Sequence, residues 1–213
     1  FSPKFSTGNA NPLLDFQYMA DPTAVVHDGR IYVYGTNDHQ QYDVVGRNGK
    51  NTYQHIHSLT MVSSDDMVNW TYHGVINVKA LAPWGMASWA PSIASRKEAD
   101  GKTHFYLYYS NSGSGVGMLT TSPVGPWTDP LGKCVVDGNT PGLGKCKAPF
   151  DPGVVIDDKG IGWLSFGGGD SDDYIPGDAR IVRLANDMKT LDSEIVEIKA
   201  PYHFEANELN YLN

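Results

Sequence analysis

The feature that most constrains this chain is a segment pattern that recurs three times. Each copy begins at a residue–proline pair, runs through an apolar strand, a polar turn and an aromatic strand, and ends in small polar residues. The copies begin at Asp21-Pro22, Ala90-Pro91 and Asp151-Pro152, roughly 60 to 70 residues apart. A second hairpin follows in each copy, so each unit contains about four antiparallel strands. Units of this size that repeat around an axis are typical of β-propeller blades.

We therefore predict an all-β propeller in which residues 1–213 form a single catalytic domain. The chain supplies about three blades and the start of a fourth, at Phe204-Glu205-Ala206. Because propellers close with about four to eight blades and open strand edges favour aggregation, we expect the chain to be truncated at its C-terminus, with the missing polypeptide as a partner. A β-sandwich is the alternative, but that fold needs no repeated unit with matching starts.

Composition limits the classes of partner and the compartment. The formal net charge of −8 without a basic cluster argues against nucleic acid, and no apolar run is long enough to span a membrane. The first residues contain no signal peptide, as in a mature secreted chain, and we expect an extracellular protein. Cys134 and Cys146 could form a loop disulfide or be two free thiols, since their spacing alone does not decide.

Acidic residues recur at the predicted blade starts. Asp21, Asp151 and Glu205 each lie where the innermost strand of a blade begins, so their side chains should converge at one mouth of the central channel. A lone Asp-Pro is usually a solvated turn, but three carboxylates at one place repel one another and suggest a function. Glycoside hydrolysis uses such a pair of a general acid and a base or nucleophile, and we predict these three as catalytic residues.

Residues near the blade starts and at the ends of the second strands should line the same mouth. Polar, aromatic and small residues there suit recognition of a sugar, although loop structure and core packing explain them as well. The predicted substrate-binding residues are Asn37, Asp38, Trp84, Trp89, Asn111, Phe150, Phe166 and Gly168. The segment 38–59 is long enough to wall one side and favours a blind pocket.

Two other residue sets receive a structural or weak assignment. Trp70 and Trp127 recur on the outer hairpins of the first two units, and we assign both to structure. His55 and His57 would share one face of a strand, but two ligands are weak evidence, so we predict no metal site from the residues themselves.

The sequence resembles glycoside hydrolase family 43 in several motifs that occur in order along nearly the whole chain. The matching segments are Tyr18-Met19-Ala20-Asp21-Pro22, Ser88-Trp89-Ala90-Pro91-Ser92, Ser122-Pro123-Val124-Gly125-Pro126-Trp127, Phe150-Asp151-Pro152-Gly153-Val154 and Phe204-Glu205-Ala206. The segment from Ser64 to Trp70 also resembles an outer-hairpin motif of that family.

The resemblance implies a five-bladed propeller enzyme that releases xylose or arabinofuranose from plant hemicellulose with inversion. By motif match, Asp21 would be the general base, Asp151 would tune the pKa of the acid, and Glu205 would be the general acid. No cofactor is required for the chemistry, although a structural calcium ion in the central channel is implied. The substrate would be a xylo- or arabino-oligosaccharide.

Other functions fit the same pattern of acids. One is a retaining propeller hydrolase that acts on fructans, and another is a propeller that binds sugar without cleaving it. The sequence does not separate xylosidase from arabinofuranosidase or arabinanase.

Overall fold

The computed structural model describes residues 12–169 and 177–212, and these fold into three four-stranded antiparallel sheets. The first sheet contains β1 (Ala20–His27), β2 (Arg30–Thr36), β3 (Ser58–Ser64) and β4 (Thr71–Asn77). The second contains β5 (Trp89–Lys97), β6 (Thr103–Ser110), β7 (Gly115–Thr121) and β8 (Val136–Asp137). The third contains β9 (Gly153–Ile156), β10 (Gly162–Phe166), β11 (Arg180–Arg183) and β12 (Val196–Glu197). Within each sheet, strands adjacent in sequence pair with one another.

Short helices occur only between strands in the described part of the chain. Helix α1 (His39–Val45) and helix α2 (Val78–Leu81) flank β3 and β4, and one 3₁₀ turn (Ser112–Ser114) joins β6 to β7. No helix within the described ranges combines the length and apolarity needed to cross a bilayer. The predicted all-β class is therefore confirmed, while the number of blades in the closed fold stays a prediction.

The first hairpin turn forms as its sequence predicts. Strands β1 and β2 are joined by Asp28 and Gly29, whose φ angles of 49° and 75° are both left-handed. Two consecutive left-handed residues produce the turn that matches the twist of a hairpin, and Asp-Gly is among the pairs that adopt it most readily. The pairing His27 with Arg30 then sets the register of the sheet.

The second sheet differs from its predicted layout at its outer edge. Trp127 does not lie on a fourth strand, because the chain beside it forms only a single bridge, between Thr120 and Thr128. Pro123 and Pro126 lack the N–H donors that a strand ladder needs. The fourth strand is instead β8, which pairs with β7 further along the chain. Trp127 is buried all the same, as its structural assignment predicts.

The core lies between neighbouring sheets, and β6 contributes to both sides of it. Phe105, Leu107 and Tyr109 pack towards the first sheet, and Tyr106 and Tyr108 pack towards the third. This alternation follows from the two-residue period of a strand. A strand that is apolar on both faces must be covered on both faces, which places the second sheet between the other two.

Hydrogen bonds between sheets hold the first strands side by side. Thr23 Oγ1 on β1 accepts the Ile93 N–H of β5 at 3.3 Å, and Ser92 Oγ on β5 accepts the Val154 N–H of β9 at 3.0 Å. The two bonds join equivalent positions of successive sheets. The starts of β1, β5 and β9 are therefore brought to one place, where the predicted catalytic acids lie.

Candidate active site

The three residue–proline starts share an uncommon backbone conformation. Asp21, Ala90 and Asp151 have φ angles of 49°, 37° and 50°. Strand pairing is interrupted at the first two of these positions, between Ala20 and Thr23 and between Trp89 and Ser92. A left-handed conformation at a residue other than glycine costs about 1–3 kcal/mol and tends to occur at functional sites. The repeat that the sequence shows is therefore also a repeat of backbone strain.

A hydroxyl at the end of each second strand supports these starts. Thr36 ends β2; its Oγ1 donates to Asp21 Oδ2 at 2.9 Å and accepts the Ala90 N–H at 2.8 Å. Ser110 ends β6; its Oγ donates to Asp151 Oδ1 at 3.0 Å and accepts the Asp151 N–H at 2.8 Å. Each hydroxyl thus fixes both a carboxyl group and the start of the next sheet.

The start of the fourth unit lies one residue later than predicted, at Ala206 and not at Glu205. Ala206, not Glu205, has the left-handed conformation, with a φ angle of 67°. Its N–H donates to Asp151 Oδ2 at 3.1 Å. The N–H groups of Ala90 and Asp151 likewise donate to side chains associated with the preceding sheet. Glu205 therefore occupies the position before the start, which Trp89 and Phe150 occupy in the second and third sheets.

The predicted catalytic acids meet at one cavity of about 440 Å³. Four carboxyl groups line it, those of Asp21, Asp38, Asp151 and Glu205. Asp38 follows β2 and precedes α1, so the loop end that was predicted to bind substrate brings a fourth acid into the group. The cavity is large enough for a single sugar ring with its bound water.

Burial and mutual repulsion perturb these acids. Burial raises the pKa of Asp151 and the Asp21 charge adds to the rise, while hydrogen bonds from Ala206 and Ser110 and the charge of His203 oppose it. Partial burial also raises the pKa of Glu205, and the charges of Asp151 and Asp21 raise it further. The pKa of Asp38 is raised by burial and by Asp21. Each of these three carboxyl groups therefore keeps its proton to a higher pH than a free carboxyl group does.

Aromatic side chains form one wall of the cavity. The Trp89 indole donates its N–H to Tyr53 O at 3.0 Å, and the two rings meet edge to face with centroids 6.2 Å apart. Tyr53 and Ile56 belong to the segment 38–59 and both line the cavity, so this segment does wall one side. Phe150 lines the cavity as predicted.

Gly168 does not line this cavity but makes room for it. A side chain on Gly168 would meet Phe204 O at 2.7 Å and Glu205 Cα at 3.1 Å. The absence of a side chain therefore permits the close approach of the backbone that carries Glu205.

Asn37 and Phe166, also predicted to bind substrate, lie in the protein interior. Asn37 is buried, donates to Ser58 Oγ at 2.9 Å and accepts from the Gln17 amide at 2.8 Å. Phe166 is fully buried in the core between the second and third sheets. Neither side chain is brought to the acids.

Trp84 and Asn111 line a different cavity, of about 620 Å³, at the edge of the second sheet and the segment that leads to β9. Cys134 lines the same cavity, and both it and Cys146 are free thiols. Trp84 was predicted at the acids because it lies near a blade start in sequence, and Asn111 because it follows the end of a second strand. The structure instead separates them from the acids.

Thr36 and Ser110, at the ends of the second strands, were expected at the mouth, and their hydroxyl groups do hold two of the acids there. Neither was among the predicted substrate-binding residues, which included their asparagine and aspartate neighbours instead. Their signal is position, because each pairs with the residue just before a start, Thr36 with Ala20 and Ser110 with Trp89. Tyr53 carries no such signal, since it lies in an irregular segment.

The structure offers no cluster of the side chains that most often bind metals. In residues 12–169 and 177–212, no group of three or more His, Cys, Asp and Glu side chains is arranged to hold an ion. The calcium ion that the family resemblance implies stays a prediction.

Comparison with known proteins identifies the family. The family model described as glycosyl hydrolases family 43 matches residues 9–213. An arabinoxylan arabinofuranohydrolase of Bacillus subtilis (strain 168) is 41% identical over 97% of this chain. An arabinoxylan arabinofuranohydrolase of Paenibacillus polymyxa is 39% identical over 97% of this chain. The chain spans 44% and 35% of the lengths of these two relatives.

A solved structure gives the same result. The crystal structure of a family 43 arabinoxylan arabinofuranohydrolase from Bacillus subtilis in complex with cellotetraose superposes with a TM-score of 0.85 and 41% identity. The match covers 93% of this chain and 44% of that one. The family match, the sequence identity and the fold agree, and the chain therefore belongs to glycosyl hydrolases family 43.

Proposed function

We propose that this chain is the catalytic part of an inverting glycosidase that releases arabinofuranose, and secondarily xylose, from hemicellulose. Asp21 is the general base, Glu205 is the general acid, and Asp151 tunes the pKa of Glu205. The observation that carries the proposal is the unequal hydrogen bonding of the three carboxyl groups in one cavity. Each is held in a manner that suits one role in an inverting displacement.

Asp151 is bonded in a way that suits tuning rather than proton transfer. Both of its carboxylate oxygens accept hydrogen bonds, one from Ser110 and one from the Ala206 N–H, and the residue is only 8% exposed. Because Ala206 follows Glu205 directly, the hydrogen bond from the Ala206 N–H also fixes the position of the Glu205 backbone. The Asp151 charge then helps to raise the pKa of Glu205.

Asp21 has one oxygen held and one available. Oδ2 accepts the Thr36 hydroxyl, and Oδ1 has no hydrogen-bond partner among the residues that the structure describes. A carboxylate fixed at one oxygen keeps the other oriented to accept a proton from water. Asp21 can therefore activate the water that attacks the anomeric carbon as the glycosidic bond breaks.

Glu205 has no hydrogen-bond partner within the described ranges, and its side chain opens into the cavity. Partial burial and two neighbouring carboxylates raise its pKa. A proton held in this way can pass to the leaving-group oxygen, which is the role of a general acid. Asp38 adds a further acceptor at the cavity for a sugar hydroxyl.

The relatives favour arabinofuranose among the sugars that the family resemblance allows. Both arabinoxylan arabinofuranohydrolases cover 97% of the chain, whereas a relative from Humicola insolens named xylosidase/arabinosidase 43A matches 74% of it at 29% identity. We accordingly propose arabinoxylan or its oligosaccharides as substrate. We also propose a five-bladed closed propeller and an extracellular location.

The proposal is tested by removing each proton-transfer group without changing its shape. We expect Asp21→Asn and Glu205→Gln to lower arabinose release from arabinoxylan oligosaccharides by about 100-fold or more. Asp28→Asn, on the exposed first hairpin turn, is the matched control and should retain full activity. Near-normal release by either active-site variant would overturn the assignment.

Product stereochemistry separates inversion from the retaining alternative. Proton NMR of the first product should show the anomer opposite to that of the substrate. The same anomer would instead indicate a covalent intermediate. Binding of the oligosaccharide without any release would favour a sugar-binding propeller that lacks catalysis.

A further inference from the structure

The cavity of about 620 Å³ beside the active site is not used by the proposed chemistry. It lies at the edge of the second sheet, beside the loops that follow β6 and β7 and the segment that leads to β9. Trp84, Asn111, Lys133, Asp137, Asn139 and Lys147 are among the side chains that line it. The wall also contains three glycines, Gly113, Gly132 and Gly138.

This second cavity is a neighbour of the acid cavity. The segment 84–90 has Trp84 at the second cavity and Trp89 and Ala90 at the acid cavity. Pro149 lines the second cavity, whereas Phe150, the next residue, lines the acid cavity. Two separate segments thus form a common wall. A polysaccharide that occupied both cavities would cross this wall.

The fixed side chains of the second cavity suit a sugar ring. The Trp84 indole donates its N–H to Asp129 Oδ2 at 2.6 Å, so the ring is held, and it is only partly buried. Asn111 is buried and its Oδ1 accepts the Met86 N–H at 2.6 Å, which fixes the loop that carries Trp84. An immobilised indole beside amide groups is the usual composition of a sugar-binding surface, because apolar ring faces stack and hydroxyls form hydrogen bonds.

Two cations distinguish this cavity from the acid cavity. Lys133 and Lys147 line it, both are exposed, and neither forms an ion pair with any residue that the structure describes. Asp137 also lines it, with its Oδ1 accepting the Asn139 N–H at 2.8 Å, so one carboxylate accompanies the two ammonium groups and the lining keeps an excess of positive charge. In a chain of formal net charge −8, two free ammonium groups at a sugar-sized cavity favour a ligand that carries a carboxylate.

We propose that the second cavity binds a uronic acid residue of the polysaccharide whose arabinofuranose is processed at the acids. The inference rests on the proposed function for the identity of the polymer. Trp84 supplies the stacking surface, and Lys133 and Lys147 supply the charge for the carboxylate. The site would direct the enzyme towards acidic stretches of hemicellulose.

Direct binding tests the inference independently of turnover. The probes are a xylo-oligosaccharide with one glucuronic acid substituent and the same oligosaccharide without it, both lacking arabinofuranose. Calorimetry on the wild-type chain at low salt should show about 3- to 10-fold tighter binding of the acidic probe. In the double variant Lys133→Gln/Lys147→Gln the two affinities should become equal. Lys145→Gln, in the same loop but outside the cavity, is the control and should keep the preference.

Trp84→Ala tests the location of the site. It should weaken binding of both probes by about 5- to 10-fold, with its fold checked by circular dichroism. Equal affinity for the two probes in the wild type, or a preference that survives loss of both lysines, would overturn the proposal. If arabinose release is absent but the acidic preference is present, the proposed function fails and this site stands. If arabinose release is present but the preference for the acidic probe is absent, the proposed function stands and this site fails.

Discussion

Ser110 is the residue on which the buried Asp151 carboxylate most depends, and Ser110→Ala tests that dependence. The hydroxyl donates to Asp151 Oδ1 at 3.0 Å and accepts the Asp151 N–H at 2.8 Å. Ser110 is fully buried and Asp151 is 8% exposed. The substitution therefore removes the partner of two buried polar groups at once while it deletes a single oxygen atom.

The magnitude follows from those two groups. A buried group left without its partner costs about 1–3 kcal/mol. We therefore expect the free energy of unfolding to fall by about 2–4 kcal/mol, with water entering from the acid cavity keeping the loss below the full sum. Activity should fall as well, because the Asp151 carboxylate also holds the Ala206 N–H and thereby Glu205. A displacement of about 1 Å at a catalytic group can cost 100-fold in rate.

The loss of stability caused by Ser110→Ala should become smaller as the pH falls. Burial raises the pKa of Asp151, and the Ser110 hydrogen bond opposes that rise. The hydrogen bond therefore stabilises the charged form, and its contribution is complete above the folded pKa of Asp151 in both the wild type and the variant. Because the variant lacks this hydrogen bond, its Asp151 has the higher folded pKa, and the contribution diminishes as the pH falls through the folded pKa of the variant and then that of the wild type. The difference in stability between wild type and Ser110→Ala should shrink in the same window.

Urea denaturation followed by tryptophan fluorescence, at neutral pH and near pH 4, measures both effects. The matched control is Ser114→Ala, on an exposed residue of the neighbouring 3₁₀ turn, which should unfold like the wild type. A loss below about 0.5 kcal/mol for Ser110→Ala, or a loss that grows on acidification, would refute the reasoning.

Two further substitutions test the acid and the residue that follows β10. Glu205→Gln should lower release of an alkyl or sugar leaving group far more than release of nitrophenol, because nitrophenol leaves without a proton; equal losses in steady-state rates would count against Glu205 as the acid. Gly167→Ala should destabilise by about 3 kcal/mol or more, since its φ is 113° and the new methyl would collide with Asp178 O. Gly29→Ala, with a φ of 75° but nothing within 4 Å, should cost only about 1 kcal/mol in the same denaturation assay.

The repeat and the hairpin turns could be predicted because their signals are local. A residue–proline pair and an Asp-Gly turn restrict φ and ψ within a few residues, and three copies in one order identify the repeating unit. The outer edge of the second sheet could not be predicted in this way. Trp127 looked equivalent to Trp70, but the prolines beside it prevent a ladder and the edge is completed by Val136 and Asp137.

The site was predicted less completely because its contacts are non-local. Ser110 bonds a carboxyl group 41 residues away, and Trp89 meets Tyr53 across 36 residues. Sequence proximity to a blade start does not say on which side of the wall between the cavities a side chain lies. Trp84 and Asn111 were consequently assigned to the acids, although they line the neighbouring cavity.

The one-residue offset of Glu205 explains why acids at one repeat can have different roles. A residue at the left-handed start has its side chain beside the hydroxyl that ends the second strand of a sheet, so Asp21 and Asp151 are bonded and cannot move freely. The preceding position has no such neighbour, and Glu205 has no hydrogen-bond partner among the described residues. Because Phe166 ends the second strand of the third sheet without a hydroxyl, the Ala206 N–H bonds Asp151 instead. The Ala206 N–H, which takes the place of a hydroxyl here, thus links the buried Asp151 carboxylate to Glu205, the acid whose pKa Asp151 tunes.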